Sequence, residues 1–314
     1  MVTINRETGI LAELRVSMES NAPWLVKYIS AIGSIAGDRL HHYAIDVEIQ
    51  PLVTSETFPI FHDIGIETIS QCNGVCEFCP VNKHVDPRKP VKMSQQMFHN
   101  IVQQLHDLDY NGQICMNVNN EPLLDDRIYD FLIHVRREVP RAHLVMFTNG
   151  TLLTIEKFEK IIKELDELFI DNYNINRKYN KTTKEILEYL QNHPKYSDRV
   201  HINIIRPNAI RTTRAGTAPN RTQLFSLKSA CIYPFWQITI QSTGRVGLCC
   251  NDATCRHLLG DVNQKSLVDI WYDEPYQQAR VAMRKGRNNI LICKQCNVFL
   301  KYPKIIYQIL KILR

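Results

Sequence analysis

The chain has 314 residues, of which 44% are hydrophobic and 22% are charged, and its 12 Gly and 14 Pro exclude a collagen-like or disordered organisation. The net charge of +6 comes without an arginine-rich arm or a lysine block, so nucleic acid is not expected as a partner. No apolar run reaches the roughly 18 residues of a membrane helix, and the first ten residues contain no apolar export segment. We therefore expect no membrane association and a cytoplasmic location.

Residues 1–60 predict an N-terminal extension that is mainly helical. An apolar helix is expected near residues 24–35, and the pair His41 and His42 is interpreted as surface or core rather than as a metal site. No other motif in this part of the sequence indicates a function.

Residues 61–210 alternate short apolar runs of β type with longer amphipathic runs. This pattern predicts repeated βα units and a parallel sheet covered by helices, an α/β fold in the form of an open or partly closed barrel. Ser94 and Thr154 are candidate N-caps. The predicted strands span residues 64–69, 113–118, 143–147, 168–171 and 200–205, and the predicted helices span residues 94–108, 125–139, 154–165 and 182–191.

A polar stretch follows each predicted strand, for example residues 119–122 after the second strand and residues 148–150 after the third. Ligands gather beyond the carboxyl ends of the strands in parallel sheets, so we place the active site at this edge. Ordinary turn residues are the alternative for any single stretch, but five such stretches together favour a site.

Residues 211–314 predict a linker and a small C-terminal domain. Residues 207–229 lose the periodic pattern and are interpreted as a linker that could also contact substrate. Residues 236–241 and 245–250 predict a hairpin around Ser242-Thr243-Gly244. A helix is expected over residues 266–284, and a short terminal helix over residues 305–313.

Ten cysteines are unusual for a chain expected in a reducing compartment, and most of them fall into two groups. The first group, Cys72, Cys76 and Cys79, places three thiols on a loop that leaves a strand. Structural zinc would need a fourth ligand, for which His84 is the candidate. A four-iron cluster can instead be held by three thiolates with one iron open to a small molecule, although four cysteines are the usual number. The spacing and the position at a strand end favour the cluster.

The run Cys72, Cys76, Phe78 and Cys79, followed at the next strand end by Asn120-Glu121-Pro122, resembles the radical S-adenosylmethionine (SAM) superfamily. The resemblance implies a partial (β/α)6 parallel barrel over residues 61–210. It also implies that the open iron binds SAM and that the cluster reduces SAM to a radical, which takes hydrogen from a substrate.

The resemblance implies, by position, which residues contact SAM. Phe78 would lie against the adenine and Glu121 near the amino group. Arg206 could bind the carboxylate with its planar guanidinium, and a surface salt bridge is the alternative for this arginine. The complete set is Phe78, Asn119, Asn120, Glu121, Thr148, Asn149, Asn203 and Arg206.

One departure from the family pattern concerns the residues before Glu121. Family members usually have Gly-Gly-Glu-Pro, whereas this chain has Asn119 and Asn120 in place of both glycines. Asparagine tolerates positive φ better than other residues with a side chain, so we expect the turn to persist.

The second group is a complete set of four thiols: Cys231, Cys249, Cys293 and Cys296. Their spacing alone leaves zinc and a four-iron cluster both open. The surrounding sequence, including Gly244, Gly260 and Trp271, resembles the auxiliary-cluster domain of radical SAM enzymes, in the short "twitch" version of the SPASM domain. The resemblance implies a small C-terminal domain of a β-hairpin plus a helix, and two [4Fe-4S] clusters in the chain.

Cys250 adjoins a predicted cluster ligand, and neighbouring residues on a strand point to opposite faces. We therefore do not expect it to bind the same cluster as Cys249. Radical SAM epimerases similar to this chain use a free cysteine to return a hydrogen atom to the substrate, which makes Cys250 a candidate hydrogen-atom donor. A small buried hydrophobe is the alternative, and it is the preferred interpretation of Cys115. Cys255 has no assigned role.

The two groups together predict a radical SAM oxidoreductase, similar to aminocyclitol dehydrogenases and to radical SAM epimerases. Its substrate would be a polar natural product such as a sugar, an aminocyclitol or a peptide, and oxidation and epimerisation both remain open. An external donor resembling flavodoxin or ferredoxin would supply electrons. A peptide substrate would need a separate leader-binding partner, because residues 1–60 are too few for such a domain. A non-catalytic zinc-binding interaction protein is the remaining alternative.

Overall fold

Strands and helices alternate through the middle of the chain, in the order that the hydrophobic pattern predicts. The structure, a computed structural model, describes residues 2–6, 10–221 and 227–298. The strands are β1 (Thr3–Arg6), β2 (Asp63–Ile66), β3 (Gln113–Cys115), β4 (His143–Thr148), β5 (Glu167–Tyr173), β6 (Val200–Ile205), β7 (Gln237–Ile240), β8 (Arg245–Gly247) and β9 (Leu258–Asp261). The helices are α1 (Ile10–Asn21), α2 (Pro23–Thr54), α3 (Gln95–Asp107), α4 (Ile128–Glu138), α5 (Ile155–Glu164), α6 (Lys181–Asn192), α7 (Tyr233–Trp236), α8 (Leu267–Tyr272) and α9 (Glu274–Arg284).

Within the described residues the strands form one sheet in the order β1-β6-β5-β4-β3-β2-β7-β8-β9. The strands from β1 to β7 in this order pair in parallel, whereas β8 pairs antiparallel with β7 and with β9. The predicted α/β fold with a small antiparallel C-terminal part is therefore confirmed. Three pairings were not predicted: β1 adds a parallel strand next to β6, β9 adds an antiparallel strand next to β8, and β7 pairs with β2, so the C-terminal strands continue the barrel sheet.

The helices bury one apolar face each against this sheet. In α3 the residues Phe98, Ile101, Val102 and Leu105 are buried, which is the spacing of one helix face. Full burial of such a side chain stabilises the fold by about 1.5–3 kcal/mol. The predicted N-caps are also confirmed, since Ser94 accepts a hydrogen bond from the backbone of Met97, and Thr154 caps α5 in the same way.

Several elements differ from their predicted extents, and three of these differences are informative. The predicted helix over residues 266–284 divides into α8 and α9, because Asp273 is extended and caps α9, and Pro275 cannot continue a helix from the preceding residues. The strand predicted over residues 113–118 ends at Cys115, because the Asn117 side chain accepts the hydrogen bond of Phe147 N (2.9 Å) in place of a ladder carbonyl. The helix predicted near residues 24–35 extends over all of α2.

Two remaining expectations concern the tail and the membrane. The helix predicted over residues 305–313 lies outside the described residues. In the described part of the chain, no helix combines the length and the apolar character needed to cross a membrane.

Candidate functional site

A cavity of about 590 Å³ lies at the carboxyl ends of the parallel strands and extends between the inward side chains of β2, β3 and β7. This is the edge at which the sequence predicts the active site. The predicted site residues that line the cavity are Cys72, Cys76, Phe78, Cys79, Asn119, Asn120, Glu121, Thr148, Asn149 and Cys250.

The three thiols of the first cysteine group lie close together on the loop after β2. A side chain at Gly74 would place its Cβ 3.2 Å from Cys72 Sγ and 3.9 Å from Cys76 Sγ, so the missing side chain leaves space between these sulfurs. Burial raises the pKa of Cys72 to about 11, and burial together with the neighbouring thiols Cys79 and Cys72 raises the pKa of Cys76. Buried thiols of this kind ionise only when a cation binds them, and a cluster held by three thiolates would supply that cation.

No set of three Cys, His, Asp or Glu side chains in the described ranges converges closely enough to hold a single metal ion. A zinc ion would require its sulfur ligands to meet at about 2.3 Å from one point. His84, the candidate fourth zinc ligand, is exposed and does not line the cavity.

Glu121 is a buried carboxylate that joins the loop after β3 to the end of β4. Its oxygens accept hydrogen bonds from Thr148 Oγ1 (2.7 Å), from the backbone of Asn149 (2.7 Å) and from the backbone of Leu123 (3.1 Å). Burial raises its pKa, and these donors act in the opposite direction. The Asn149 side chain in turn donates to Asn73 on the cysteine loop (2.7 Å), so the two loops are held together.

The turn before Glu121 forms without the left-handed backbone that we expected of the two asparagines. Neither Asn119 nor Asn120 has a positive φ. Instead Asn120 Oδ1 accepts a hydrogen bond from the backbone of Val118 (3.1 Å), and Asn119 Nδ2 donates to the carbonyl of Cys250 (3.0 Å). The asparagines therefore replace the family glycines through side-chain hydrogen bonds rather than through glycine-like geometry.

Asn203 and Arg206 are the two predicted SAM-contact residues that do not line the cavity. Asn203 lies behind it and donates to Asp171 Oδ1 (2.8 Å). Arg206 is buried in an ion pair with Glu19 of α1. Arg206 therefore forms a salt bridge, as the alternative interpretation expected, but the bridge is buried rather than at the surface. A different arginine, Arg211, lines the cavity.

Several cavity residues were not singled out from the sequence. Arg211 places its guanidinium 5.5 Å from the ring centroid of Phe78, whose ring also packs against Tyr173 (5.9 Å). Asp171, whose pKa is raised by burial, lies beside Tyr173 on β5. Asp171 and Tyr173 could have been found from the sequence, because they lie at the polar end of a predicted strand. Arg211 could not, because it lies in the predicted linker, where no periodic pattern shows which way a side chain points.

The inner part of the cavity is built from two rows of side chains on adjacent strands. Asp63 pairs in register with Gln113 and with Gln237, and all three line the cavity. The next row is formed by Gly65, flanked by Cys115 and Thr239. Cys115, which was interpreted as a core residue, therefore faces the cavity.

One oxygen of the Asp63 carboxylate contacts His62 Nδ1 (2.7 Å). Across the described ranges, no protein donor reaches its second oxygen. The inner row consequently offers a carboxylate between two carboxamides.

The second cysteine group surrounds a separate, smaller cavity. All four thiols, those of Cys231, Cys249, Cys293 and Cys296, line it. Burial raises the pKa of Cys231 to about 11. The fully buried Arg287 lines the same cavity with its Nε and Nη2 hydrogens unpartnered, so the cavity is suited to an anionic group such as a four-thiolate cluster.

Cys249 and Cys250 open into different cavities, as their adjacent positions predict. Cys249 lines the smaller cavity and Cys250 lines the larger one. Tyr233 borders both cavities, and the Cys250 sulfur accepts a hydrogen bond from Asn251 Nδ2 (3.7 Å). Cys255 is buried and lines neither cavity.

The predicted linker also forms part of the wall between the cavities. Arg214 and Ala215 both adopt positive φ, at 48° and 51°, a strained backbone that costs about 1–2 kcal/mol per residue. Arg214 faces the larger cavity and donates to Asn119 Oδ1, whereas Ala215 faces the smaller one. The expectation that this segment reaches the site is consistent with this placement.

Comparison with known protein families identifies two domains at these positions. The family model of the radical SAM superfamily matches residues 66–206. The SPASM model, an iron-sulfur cluster-binding domain, matches residues 231–297.

Among curated proteins, the S-adenosyl-L-methionine-dependent 2-deoxy-scyllo-inosamine dehydrogenase of Niallia circulans is 27% identical over 240 residues, which are 76% of this chain and 93% of the relative. Among solved structures, BtrN in complex with AdoMet and 2-DOIA has a TM-score of 0.66 at 23% identity, covering 76% of this chain and 94% of BtrN. The AdoMet-bound anSMEcpe has a TM-score of 0.51 at 12% identity, covering 76% of this chain and 85% of that one. These structural likenesses concern the fold.

Proposed function

We propose that this chain, which belongs to the radical SAM superfamily and carries a C-terminal SPASM domain, removes a hydrogen atom from a C–H bond of a polar small molecule. The observation that carries the proposal is the shared cavity, in which the three-thiol loop, Glu121 and the inner polar row open into one space. A reactive species formed at the loop would have the substrate within the same enclosure.

We assign the two clusters to places in the chain from the residues that could hold them. Cys72, Cys76 and Cys79 would hold the SAM-binding [4Fe-4S] cluster, and the four thiols of the smaller cavity would hold the auxiliary one. When bound, the first cluster and SAM supply an electron and a 5′-deoxyadenosyl radical that takes the hydrogen atom. The protein's contribution is to orient SAM, to orient the substrate and to exclude water.

The SAM contacts follow from the residues around the loop. Phe78 and Tyr173 offer an aromatic surface for the adenine, with Arg211 above Phe78. Glu121 would receive the SAM amino group, and Thr148 and Asn149 hold its oxygens in place. Arg211 takes the carboxylate-binding role that the sequence gave to Arg206, since only Arg211 of the two lines the cavity.

The inner row favours a substrate that carries both an amine and hydroxyl groups. A carboxylate with one free oxygen, Asp63, attracts a protonated amine, and the carboxamides of Gln113 and Gln237 can donate to and accept from hydroxyls. A relative acts on 2-deoxy-scyllo-inosamine, which combines these groups. We therefore propose an aminated cyclitol or amino sugar in preference to a peptide.

Dehydrogenation is the proposed outcome, because the relative is a dehydrogenase and a cluster with four thiolate ligands can accept an electron without binding substrate. Epimerisation is the second candidate, because the Cys250 thiol faces the larger cavity, where it could return a hydrogen atom to a substrate radical. The two differ in their products: a dehydrogenase forms a carbonyl, and an epimerase retains the alcohol with one hydrogen from the thiol.

The first experiment tests SAM cleavage by the anaerobically reconstituted protein with dithionite or reduced flavodoxin as the external electron donor. We expect about eight irons per chain and release of 5′-deoxyadenosine, and Cys76→Ala should abolish that release. Wild-type protein that holds both clusters and yet releases no 5′-deoxyadenosine would overturn the proposal.

The second experiment separates the two outcomes by running the reaction in heavy water with 2-deoxy-scyllo-inosamine. A dehydrogenase gives a ketone, and Cys250→Ala retains at least half of the turnover. Product with an intact alcohol and one carbon-bound deuterium, lost in Cys250→Ala, would establish epimerisation instead.

A further inference from the structure

Arg287 is a fully buried cation at the smaller cavity. Its side chain is only 1% exposed, and it begins the short 3₁₀ turn Arg287–Asn289. Its Nη1 lies 3.9 Å from Cys296 Sγ and 3.5 Å from the Cys296 carbonyl, while Nε and Nη2 have no hydrogen-bond partner. Three of the five N–H hydrogens of this guanidinium are thus unpaired in the protein.

The surroundings of Arg287 contain no carboxylate that pairs with it. In the described ranges it takes part in no salt bridge within 4 Å. Asp38 is close enough for Arg287 to contribute to the lowering of its pKa, but its oxygens accept from the backbones of Lys228 (2.8 Å) and Ser229 (3.0 Å). A buried charge without a partner costs several kcal/mol, so this arginine requires an anion close by.

The available anion is the thiolate set that lines the cavity with Arg287. Arg287 approaches the Cys296 sulfur and lines the same cavity as the thiols of Cys231, Cys249 and Cys293. A cluster held by these four residues would therefore lie next to the Arg287 guanidinium. A four-iron cluster with four thiolates is negatively charged, and it becomes more negative by one unit on reduction.

We propose that Arg287 sets the reduction potential of the auxiliary cluster, raising it so that the cluster can take the second electron from the substrate radical that is left after hydrogen-atom removal. A fixed positive charge in a buried site stabilises the reduced cluster more than the oxidised one, and N–H donors directed at the sulfurs act in the same sense. This inference rests on the proposed function, since it presupposes the auxiliary cluster.

The test compares the reduction potentials of Arg287→Met and wild-type holoenzyme by redox titration followed by electron paramagnetic resonance. The cluster whose signal changes when SAM is added serves as the internal reference. We expect the reduction equilibrium constant of the other cluster to fall at least tenfold in the variant, about 59 mV for a one-electron couple. The SAM-responsive cluster should keep its potential, and Arg287→Lys should restore most of the shift.

Arg280→Met is the matched control, because Arg280 is also buried but lines neither cavity. Its guanidinium donates to the carbonyls of Pro234 (2.9 Å) and Trp271 (2.8 Å). We expect this control to lower the melting temperature and to leave both potentials unchanged. Arg287→Met should instead raise the melting temperature of the cluster-free chain, because it removes an unpaired buried charge.

Each result bears on one of the two proposals. Wild-type protein that never holds a second cluster would contradict the proposed function. A variant that keeps all its irons with an unshifted potential would overturn the role of Arg287 alone. If Arg287→Met loses the auxiliary irons, the reduction potentials of Arg287→Lys and Arg287→Gln are compared instead. Equal potentials in these two variants would also overturn the proposed role of Arg287.

Discussion

Asp63 is the residue to which we attribute the proposed substrate selectivity, in a cavity whose inner end otherwise offers mostly neutral groups. It is the first residue of β2, and parallel pairing fixes it between Gln113 and Gln237. Gly65 in the next row adds no side chain, and a Cβ there would lie only 2.9 Å from Val118 Cγ2, so this position has to be glycine. The charge of Asp63, between two neutral carboxamides, thus favours a small, cationic polyol.

We expect Asp63→Asn to lower kcat/KM for an aminated cyclitol at least tenfold, equivalent to about 1.4 kcal/mol, because the amine loses its charged partner. For scyllo-inositol, which has a hydroxyl in place of the amine, kcat/KM should change little. Steady-state assays with both compounds check this. Asp109→Asn is the control, since Asp109 is exposed and its positive φ suits asparagine. Equal losses for both substrates would contradict a role in amine recognition.

Glu121 holds two loops together through its hydrogen bonds, and its proposed second role is to bind the SAM amino group. Glu121→Gln turns one oxygen into an NH₂ group, which then faces the Thr148 hydroxyl or the Asn149 backbone N–H. A buried donor without an acceptor costs about 1–3 kcal/mol. We expect a lower melting temperature and a SAM dissociation constant raised at least tenfold, as measured by calorimetry. Glu185→Gln on α6 should change neither, and unaltered SAM binding in Glu121→Gln would refute the assignment.

At the scale of elements, Arg88 joins the segments that form the site. Its guanidinium donates to Glu67 on the strand-end segment after β2 (3.0 Å) and to Asp86 on the same loop (2.9 Å). It also donates to the carbonyls of Ser70 (2.6 Å) and Asn119 (2.7 Å), which begin the two cofactor loops. Arg88 is therefore a positioning residue for both loops.

We expect Arg88→Met to destabilise the chain by about 3–5 kcal/mol, because it leaves buried Glu67 without its cation. Burial raises the pKa of Glu67 to about 7 even beside Arg88, and the pKa should rise further in the variant. A carboxyl with a higher pKa in the folded than in the unfolded state makes stability fall as pH rises between the two values.

The deficit of Arg88→Met should therefore grow from pH 6 to pH 8, as measured by urea denaturation. Arg136→Met, which removes a more exposed pair with Asp166, should cost less and show no such trend. A deficit that stays constant over this range would contradict the role of Glu67.

The sequence predicts most elements because hydrophobic periodicity and capping residues act locally. Ser94 and Thr154 cap the helices that they were expected to cap. The placement of the linker side chains was harder to predict. Arg214 has a strained backbone, and the neighbouring Thr213 is held by the distant residues Gln295 and Asn297. Arg206 shows the same limit, because its partner Glu19 lies 187 positions away in sequence. The burial of Arg287 also has no sequence signature.

At the scale of the whole molecule, the two cysteine groups occupy separate cavities that share a wall. We therefore expect independent loading. Cys293→Ser combined with Cys296→Ser should reduce the iron content from about eight to about four per chain and preserve release of 5′-deoxyadenosine. Iron analysis and product chromatography check this. Loss of all iron in that double variant would show that the two sites are not independent.

The pairing of β7 with β2 makes the C-terminal strands part of the barrel. Without them, the row Ile64, Gly65 and Ile66 of β2 would present an open sheet edge, which in soluble proteins invites association with other chains. One hydrogen-bonded sheet therefore runs through both family domains.

The adjacency of Cys249 and Cys250 means that a single peptide link connects the smaller cavity to the larger one. Under the proposed function, an electron leaving a substrate beside Cys250 would cross one non-bonded gap and then follow the backbone to the auxiliary iron. This adjacency would also make the reaction sensitive to side-chain size at both positions. A larger residue at position 250 would crowd the substrate, whereas one at position 249 would disturb the cluster that accepts the electron.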